Sequence, residues 1–233
     1  MTPPTRQSER LYSRAGLSHS IMVSRLMFSG LSRPRRADDG GMSVARYDRE
    51  HKVATRRRIV ETAGRRLKAS GIDGSGIATL MSDAALTNGA FYAHFDSKDD
   101  LVAHVVSAEL AAQAASLGAL PPGRASLEAY VRDYLSTAHR DARGDGCPSA
   151  ALLDEIGRCA ATTRGAYTDG AKVIINEIAS RLSPKAATSA RRNAIALFAL
   201  LVGTLQLARA VSDEDLSDEV LSRGIESALA LMR

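Results

Sequence analysis

The chain has 233 residues, of which 45% are hydrophobic and 24% are charged, and this globular balance excludes wholesale disorder and collagen-like repetition. Lysine and arginine number 31 against 26 acidic residues, which gives a formal net charge of +5. Aromatic residues make up only 4%, so the composition favours an all-α protein over a β-sandwich. The two cysteines, Cys147 and Cys159, lack the CxxC or Cys/His spacing of a zinc site.

The basic residues are concentrated in the first part of the chain. Residues 1–50 carry nine arginines against five acidic residues, and residues 51–98 carry eight basic residues against four acidic ones. Residues 99–233 carry 14 basic and 17 acidic residues. This asymmetry favours two functions, with the front part facing a polyanion, although a solvated surface of uneven charge is the alternative.

Residues 1–46 lack periodicity and are rich in Ser, Arg, Gly and Pro, so we expect a disordered N-terminal extension. A second methionine, Met42, stands just before the first periodic segment. This position suggests that translation begins at Met42 and that the extension is not translated. If the extension is present, its arginines would add non-specific attraction to phosphates.

Helical periodicity begins near Asp48 and continues to Ser70, with Ile59, Ala63 and Leu67 on one stripe. Gly71 suits a left-handed helix end. Short helices are predicted over 77–85, with Ile77, Leu80 and Met81 buried, and over 88–94, with a tight turn around Leu86 between them. A fourth helix is predicted over 98–116, with Ser97 as its N-cap and Asp100 in a capping-box position.

The rest of the chain is also predicted to be helical. An apolar stripe runs from Leu127 to Ala138, and an irregular helix is predicted over 150–160. Longer helices are predicted over 163–182, 186–210 and from Ser217 onward.

The segment Ile59–Leu101 therefore holds three short helices with a tight turn between the last two, which is the helix-turn-helix arrangement. It resembles the DNA-binding domain of the TetR/AcrR family of bacterial transcriptional regulators. The matching residues are Ile59, Val60, Ala63, Leu67, Gly71–Gly74, Ile77, Leu80, Ala84, Ala85, Phe91, Tyr92, His94, Phe95, Ser97, Lys98, Asp100 and Leu101. The resemblance implies a DNA-binding domain over 47–97 and a helical effector-binding and dimerisation domain over 98–233.

The first turn of the third helix carries residue types that suit DNA. Asn88 can make a bidentate contact to adenine, Thr87 can reach a base edge or a phosphate, and Gly89 allows close approach. Tyr92 and His94 suit phosphate oxygens. For each side chain, local hydrogen bonding or packing is the structural alternative.

Lys98 is interpreted as a phosphate contact, which the family resemblance also implies. Gly76 stands where the family commonly has Thr or Ser, so Ser75 is expected to take the helix cap, and Thr79 is a weaker DNA contact. We expect Phe91 and Phe95 in the core of the domain. The run Arg56–Arg58 is expected to give only general electrostatic attraction.

One helix-turn-helix buries too little DNA for useful specificity, so two copies are expected to read two half-sites. Residues 186–210 and 217–232 are the predicted homodimer interface, because Ala194–Val202 is apolar almost all round. A central helix in a single domain is the alternative. The middle helices are expected to enclose a pocket for a small apolar or amphipathic effector. Its candidate lining residues are Tyr130, Tyr134, Tyr167, Phe198 and Cys147.

These expectations combine into a ligand-responsive transcriptional regulator, and the family resemblance implies a repressor released from a palindromic operator by its effector. The alternative is a ligand-independent architectural DNA-binding protein. An enzyme is not expected, because Asp154–Glu155 and Asp213–Asp215 lack a paired histidine, a phosphate loop or a nucleophile elbow. No cofactor or metal is expected, since His51, His104 and His139 have no ligand spacing.

The longest uninterrupted apolar run, Ala194–Gly203, is half of what a bilayer-spanning helix needs. No small-residue cleavage site follows the apolar residues near the N-terminus. We therefore expect a cytoplasmic protein with no membrane partner.

Overall fold

The structure is a computed structural model that describes residues 42–183 and 187–232, and these ranges contain helices and turns but no β-strand. The predicted all-α class is thereby confirmed. All the described residues belong to one compact unit. Residues 1–41, which hold most of the predicted N-terminal extension, lie outside the described residues, so that prediction stands as it was.

The N-terminal part consists of α1 (Met42–Ser70), α2 (Ile77–Asp83) and α3 (Asn88–Phe91). The predicted stripe of α1 is fully buried, because its apolar residues recur every four positions and face α2 and α4. Gly71 ends α1 with a φ of +80°, and its N–H donates to the carbonyl of Leu67. The left-handed helix end is therefore confirmed.

The first helix begins at Met42, six residues before the predicted start. Residues 46–54 are all exposed, so no buried stripe marks these turns in the sequence. An ion pair of 2.9 Å between Arg46 and Glu50, one turn apart, supports the helix there instead.

The two short helices end earlier than predicted. Helix α2 stops at Asp83 because Ala85 adopts a positive φ of 54°, which a right-handed helix cannot contain. Helix α3 stops at Phe91 rather than His94. Leu80 and Met81 are buried as expected, whereas Ile77 is only half-buried.

The C-terminal part packs α8 along α4 and α9, and α9 along α10, with a short 3₁₀ turn at Arg143–Asp145. Ser97 caps α4 as predicted, accepting from the N–H of Asp100 at 3.1 Å. The seven helices are α4 (Lys98–Ala119), α5 (Arg124–Tyr134), α6 (Thr137–Asp141), α7 (Pro148–Arg158), α8 (Ala161–Leu182), α9 (Ala187–Ala210) and α10 (Glu214–Leu231).

The predicted stripe from Leu127 to Ala138 is interrupted. Ser136 caps a new helix by accepting from the N–H of His139, so Ala138 lies on α6 and is exposed. The irregular helix predicted over 150–160 is instead the regular helix α7, with Pro148 in its first turn, where no N–H donor is needed.

Two of the described helices, α4 and the Ala190–Ala210 part of α9, are long and apolar enough to cross a membrane by length and composition alone. Core helices of soluble proteins meet the same criterion, and both helices contribute buried residues to the core.

Candidate DNA-binding face and candidate effector site

Five of the seven residues predicted to meet DNA are exposed in the helix-turn-helix, whereas His94 and Lys98 are half-buried. Thr87, Asn88 and Gly89 are exposed, and Tyr92 is 69% exposed. Thr87 is the N-cap residue of α3, yet its side chain makes no capping hydrogen bond. Thr79 is exposed on α2. These side chains are therefore available to a partner, and their contacts with DNA remain predictions.

Gly89 occupies open space. A Cβ atom added there would meet no atom within 4 Å, and its φ is not positive. Glycine weakens a helix relative to alanine, so nothing in the described fold favours glycine at this position. The small residue is consistent with close approach of a partner.

The opposite face of α3 is anchored in the core. Phe91 is 0% and Phe95 2% exposed, and their ring centroids lie 5.8 Å apart. The prediction that both rings belong to the core is therefore confirmed. Tyr92 follows Phe91 in a right-handed helical conformation, and its exposed ring contacts the Phe91 ring edge-on at 5.1 Å between centroids.

Arg56 holds the segment that follows α3 in place. Its guanidinium lies 4.2 Å from the centroid of the Phe95 ring, and Nη1 donates to the carbonyl of His94. Nη2 lies 2.8 Å from Nε2 of His104. The expectation that Arg56 gives only general attraction is thus incomplete, because the sequence does not show which arginine of the run faces inward.

His94 is half-buried, and its Nδ1 atom is enclosed without a hydrogen-bond partner among the described residues. Burial, followed by the charges of Lys52 and Arg56, lowers the pKa of His94 below its usual value. The ring is therefore neutral near pH 7, and the two cations supply the positive charge at this edge.

Lys98 is committed to the protein in the DNA-free chain. Its Nζ atom donates to the carbonyl of Ile72 at 2.6 Å, so it fixes the turn between α1 and α2. An ammonium group has three donors, so a phosphate contact from Lys98 remains compatible with this bond and remains a prediction.

The prediction that Ser75 caps α2 is wrong. Ser75 is fully buried and its Oγ donates to the carbonyl of Gly71 at 2.8 Å, because that carbonyl at the end of α1 also needs a partner. Gly76 is the N-cap residue of α2, with no side-chain cap.

The same turn is held from the other domain by Glu155 on α7. Its Oε2 atom accepts from the N–H groups of Ile72 at 2.7 Å and Asp73 at 3.0 Å. From the sequence, Glu155 is only a catalytic candidate. The sequence does not predict this contact, because the partners lie more than 80 residues apart.

The predicted effector residues are partly gathered in one buried cluster. The thiol of Cys147 donates to Oε1 of Gln113 at 3.4 Å, and the amide of Gln113 donates to the hydroxyl of Tyr130 at 3.2 Å. The rings of Tyr130 and Tyr134 lie 5.9 Å apart. We call Gln113, Tyr130, Tyr134 and Cys147 the tyrosine cluster.

The other two predicted residues lie outside these contacts. Tyr167 donates to Oγ of Ser149 at 3.1 Å, near Cys147 along the chain. Phe198 is 8% exposed on α9, and no ring contact joins it to the tyrosines in the described part of the chain.

The polar groups of the tyrosine cluster are strongly desolvated. Burial raises the pKa of Tyr130 and of Tyr134 above the usual value, so both phenols are neutral at physiological pH. The hydroxyl of Tyr134 is buried beside the Cys147 thiol, which further raises the pKa of Tyr134, but it makes no hydrogen bond of ordinary geometry within the described ranges. An unpartnered buried hydroxyl destabilises a protein by about 1–3 kcal/mol.

His139 contacts the backbone of two residues of the tyrosine cluster. Its Nδ1 lies 2.7 Å from the carbonyl of Tyr134, and its Nε2 accepts from the N–H of Cys147 at 3.0 Å. These partners require the neutral ring with its proton on Nδ1. Burial lowers the pKa of His139 to about 4.

A cavity of about 240 Å³ lies elsewhere, where α1 meets α7 and α9. None of the predicted effector residues lines it. The lining residues are Lys68, Arg143, Ala150, Ala151, Gln206, Arg209 and Ala210.

Metal ligands are not gathered anywhere in residues 42–183 and 187–232, where no three His, Cys, Asp or Glu side chains come together.

Residues 59–105 match the family described as bacterial regulatory proteins, tetR family. No curated protein matches the chain. Reduced NemR from E. coli superposes with a TM-score of 0.64 at 22% identity, covering 75% of this chain and 95% of that one.

Two further solved structures share the fold. A TetR-family transcriptional regulator from Agrobacterium tumefaciens has a TM-score of 0.62 at 22% identity and covers 76% of this chain and 98% of its own. AibR, solved with isovaleryl coenzyme A and operator DNA, has a TM-score of 0.52 at 13% identity and covers 74% and 97%. The match over residues 59–105 makes this segment similar to the tetR family of bacterial regulatory proteins, and the solved structures show the same all-helical fold for the chain.

Proposed function

We propose that the chain is a cytoplasmic transcriptional repressor that binds a palindromic operator as a homodimer and is released by a small apolar or amphipathic effector. The observation that carries the proposal is the outer face of α3. The polar residues Thr87, Asn88 and Tyr92, in and beside α3, are exposed, and their side chains make no hydrogen bond with the described residues, in a segment that matches a family of regulators.

The homodimer is supported by an apolar face on α9. Ile195 is 46% and Leu207 53% exposed, and Ala199 and Gly203 lie between them at four-residue steps. This spacing forms one continuous stripe along a helix, with small residues that permit close packing. We propose that residues 186–210 and 217–232 form the interface between two copies.

The tyrosine cluster is the proposed effector site. It combines aromatic surface with the unpartnered hydroxyl of Tyr134, which a ligand could satisfy. The relative AibR was solved with isovaleryl coenzyme A, which combines an apolar acyl chain with a polar group. This supports an amphipathic effector here too.

Helix α7 offers a physical connection between the two proposed sites. It begins at Pro148, next to Cys147 of the tyrosine cluster, and it carries Glu155, which holds the turn after α1. An effector that displaces Cys147 would shift α7 and loosen the turn. The separation of the two recognition helices would change, and operator release would follow by linkage.

Selection of duplexes from a random DNA pool tests the proposal. A homodimeric repressor should enrich a palindrome whose half-sites lie about one helical turn apart. An architectural protein would enrich no consensus, and that result would overturn the proposal. The enriched duplex then serves to score apolar and amphipathic compounds for release.

Two variants assign the contacts on that duplex. Asn88→Ala should lose discrimination at one base pair, by about 1–3 kcal/mol. Lys98→Ala should weaken binding to all sequences and reduce the salt slope by about one unit. Unchanged binding by both variants in a titration would contradict the placement of α3 in the groove.

A further inference from the structure

We propose that the cavity between α1, α7 and α9 is a second ligand site, which binds the carboxylate or phosphate group of a small organic anion. We call it the basic cavity. It goes beyond the proposed function, because its lining residues are distinct from the tyrosine cluster.

The cations of the basic cavity are poorly neutralised by the protein. Nη2 of Arg143 donates to the backbone carbonyl of Arg209 at 2.7 Å. Arg209 in turn donates to the carbonyls of His139 and Arg140 at 2.7 Å and 3.0 Å. Within the described ranges neither Arg143 nor Arg209 forms an ion pair with a carboxylate.

Arg209 also has an unused donor. Its Nη1 atom is buried and has no hydrogen-bond partner among the described residues. Burial, together with the nearby charge of Arg143, lowers the pKa of Arg209 from its usual value, so the charge is poorly solvated. A half-buried cation is normally paired with an anion, and an anion in the cavity would neutralise the Arg209 charge.

The third cation, Lys68, comes from the DNA-binding part of the chain. Its side chain is 5% exposed, and Nζ pairs with Oε2 of Glu109 at 2.6 Å. With Glu109 and with Asp141, whose charge acts on Arg209, three cations face two carboxylates, so the site keeps net positive charge. The lining therefore favours an anion over a neutral or cationic ligand.

The volume of the basic cavity and its uncharged lining residues limit which ligands fit it. The cavity, of about 240 Å³, is open to solvent and has room for the anionic group of a small organic molecule. Ala150, Ala151 and Ala210 provide an apolar wall, and the amide of Gln206 adds a donor and an acceptor.

The position of the cavity gives binding a structural consequence. An anion there would join Lys68 of α1 to Arg143 and to Arg209 of α9, beside α7. Helix α1 ends two residues after Lys68, at the turn that Glu155 of α7 holds. Occupancy should therefore stabilise the junction between the DNA-binding helices and the bundle.

The test is a thermal-unfolding titration of the full chain with sodium phosphate and, separately, sodium malonate, each against sodium chloride of equal ionic strength. We expect a saturable rise of Tm with at least one of the two anions. A response to phosphate alone assigns a phosphate ligand, and a response to malonate alone assigns a carboxylate. Equal Tm in all three salts would overturn the proposal.

Variants locate the site. Arg143→Gln should weaken the apparent affinity about tenfold, as expected for the loss of one charge-assisted hydrogen bond. Glu109→Gln should strengthen it, because the competing carboxylate is removed. Arg158→Gln is the matched control, an exposed arginine on α7 that does not line the cavity, and its affinity should equal the wild type.

Unchanged affinity in both Arg143→Gln and Glu109→Gln would place any anion effect elsewhere and overturn the proposal. Binding is measured without DNA, so a negative result would leave the proposed repressor function untouched.

Discussion

The DNA-binding helices and the C-terminal bundle use their polar residues in different ways. In and beside α3, Asn88 and Tyr92 are exposed and their side chains make no hydrogen bond with the described residues, although the Tyr92 ring contacts Phe91. In the bundle, the Tyr134 hydroxyl and Nη1 of Arg209 are buried without a hydrogen-bond partner among the described residues. The first arrangement suits a large partner that docks on a surface. The second suits a small ligand that enters the protein.

Two adjacent residues at the end of α3 allow the contrast between buried and exposed side chains to be tested directly. Phe91→Ala should lower the free energy of unfolding by about 3–5 kcal/mol, because it removes a fully buried ring and leaves a cavity. Tyr92→Ala, one residue away and 69% exposed, should change stability by less than about 0.5 kcal/mol and weaken DNA binding instead. Urea denaturation and DNA titration of both variants measure this. Equal destabilisation by the two would show that α3 has no separate binding face.

In the bundle, the neutral state of His139 makes stability depend on pH. The pKa is about 4 in the folded chain and near 6.5 when unfolded, so the folded state binds fewer protons between these values. The stabilisation that neutral His139 contributes is complete above pH 6.5. As the pH falls towards 4, the free energy of unfolding decreases by about 3 kcal/mol. Urea unfolding across this window measures the loss.

His139→Gln is the control, because glutamine can keep one donor and one acceptor but does not titrate. Its unfolding should lack this part of the pH dependence. An identical pH profile in the variant would show that His139 is not the titrating group.

Sequence periodicity predicts the local part of this architecture well. The stripe of α1, the left-handed Gly71 and the Ser97 cap all follow from neighbours within four residues, and each is confirmed. The burial of Phe91 also follows from local pattern together with family resemblance.

Polar contacts between distant segments produce no recognisable pattern in the sequence. The bonds from Glu155 and Lys98 to the turn at Ile72 join distant segments, and no spacing rule predicts them. The basic cavity likewise draws on four separate elements, among them α1 and α9. The sequence also does not predict the positive φ of Ala85, because alanine rarely adopts this conformation.

Glu155 tests how strongly the two regions are joined. Glu155→Ala removes two charge-assisted bonds to the N–H groups of Ile72 and Asp73 and should reduce stability by about 2 kcal/mol. The neighbouring Asp154→Ala is the matched control. Asp154 pairs with exposed Arg158, so about 0–1 kcal/mol is expected.

Hydrogen exchange at the amides of Ile72 and Asp73 should accelerate in Glu155→Ala and stay unchanged in Asp154→Ala. Equal exchange in the two variants would mean that α7 does not hold this turn, and the proposed connection between effector and operator would lose its physical basis.

The smallest expected effect separates folding from binding most cleanly. Gly89→Ala adds a Cβ into open space on α3, so stability should rise by about 0.5 kcal/mol, since alanine favours a helix. If the α3 face approaches a DNA groove closely, the same methyl group should weaken operator binding. Stability and affinity would then move in opposite directions, which damage to the fold cannot produce. A variant that gains stability and keeps full affinity would show that Gly89 does not lie against DNA, and the docking face would shift towards Tyr92.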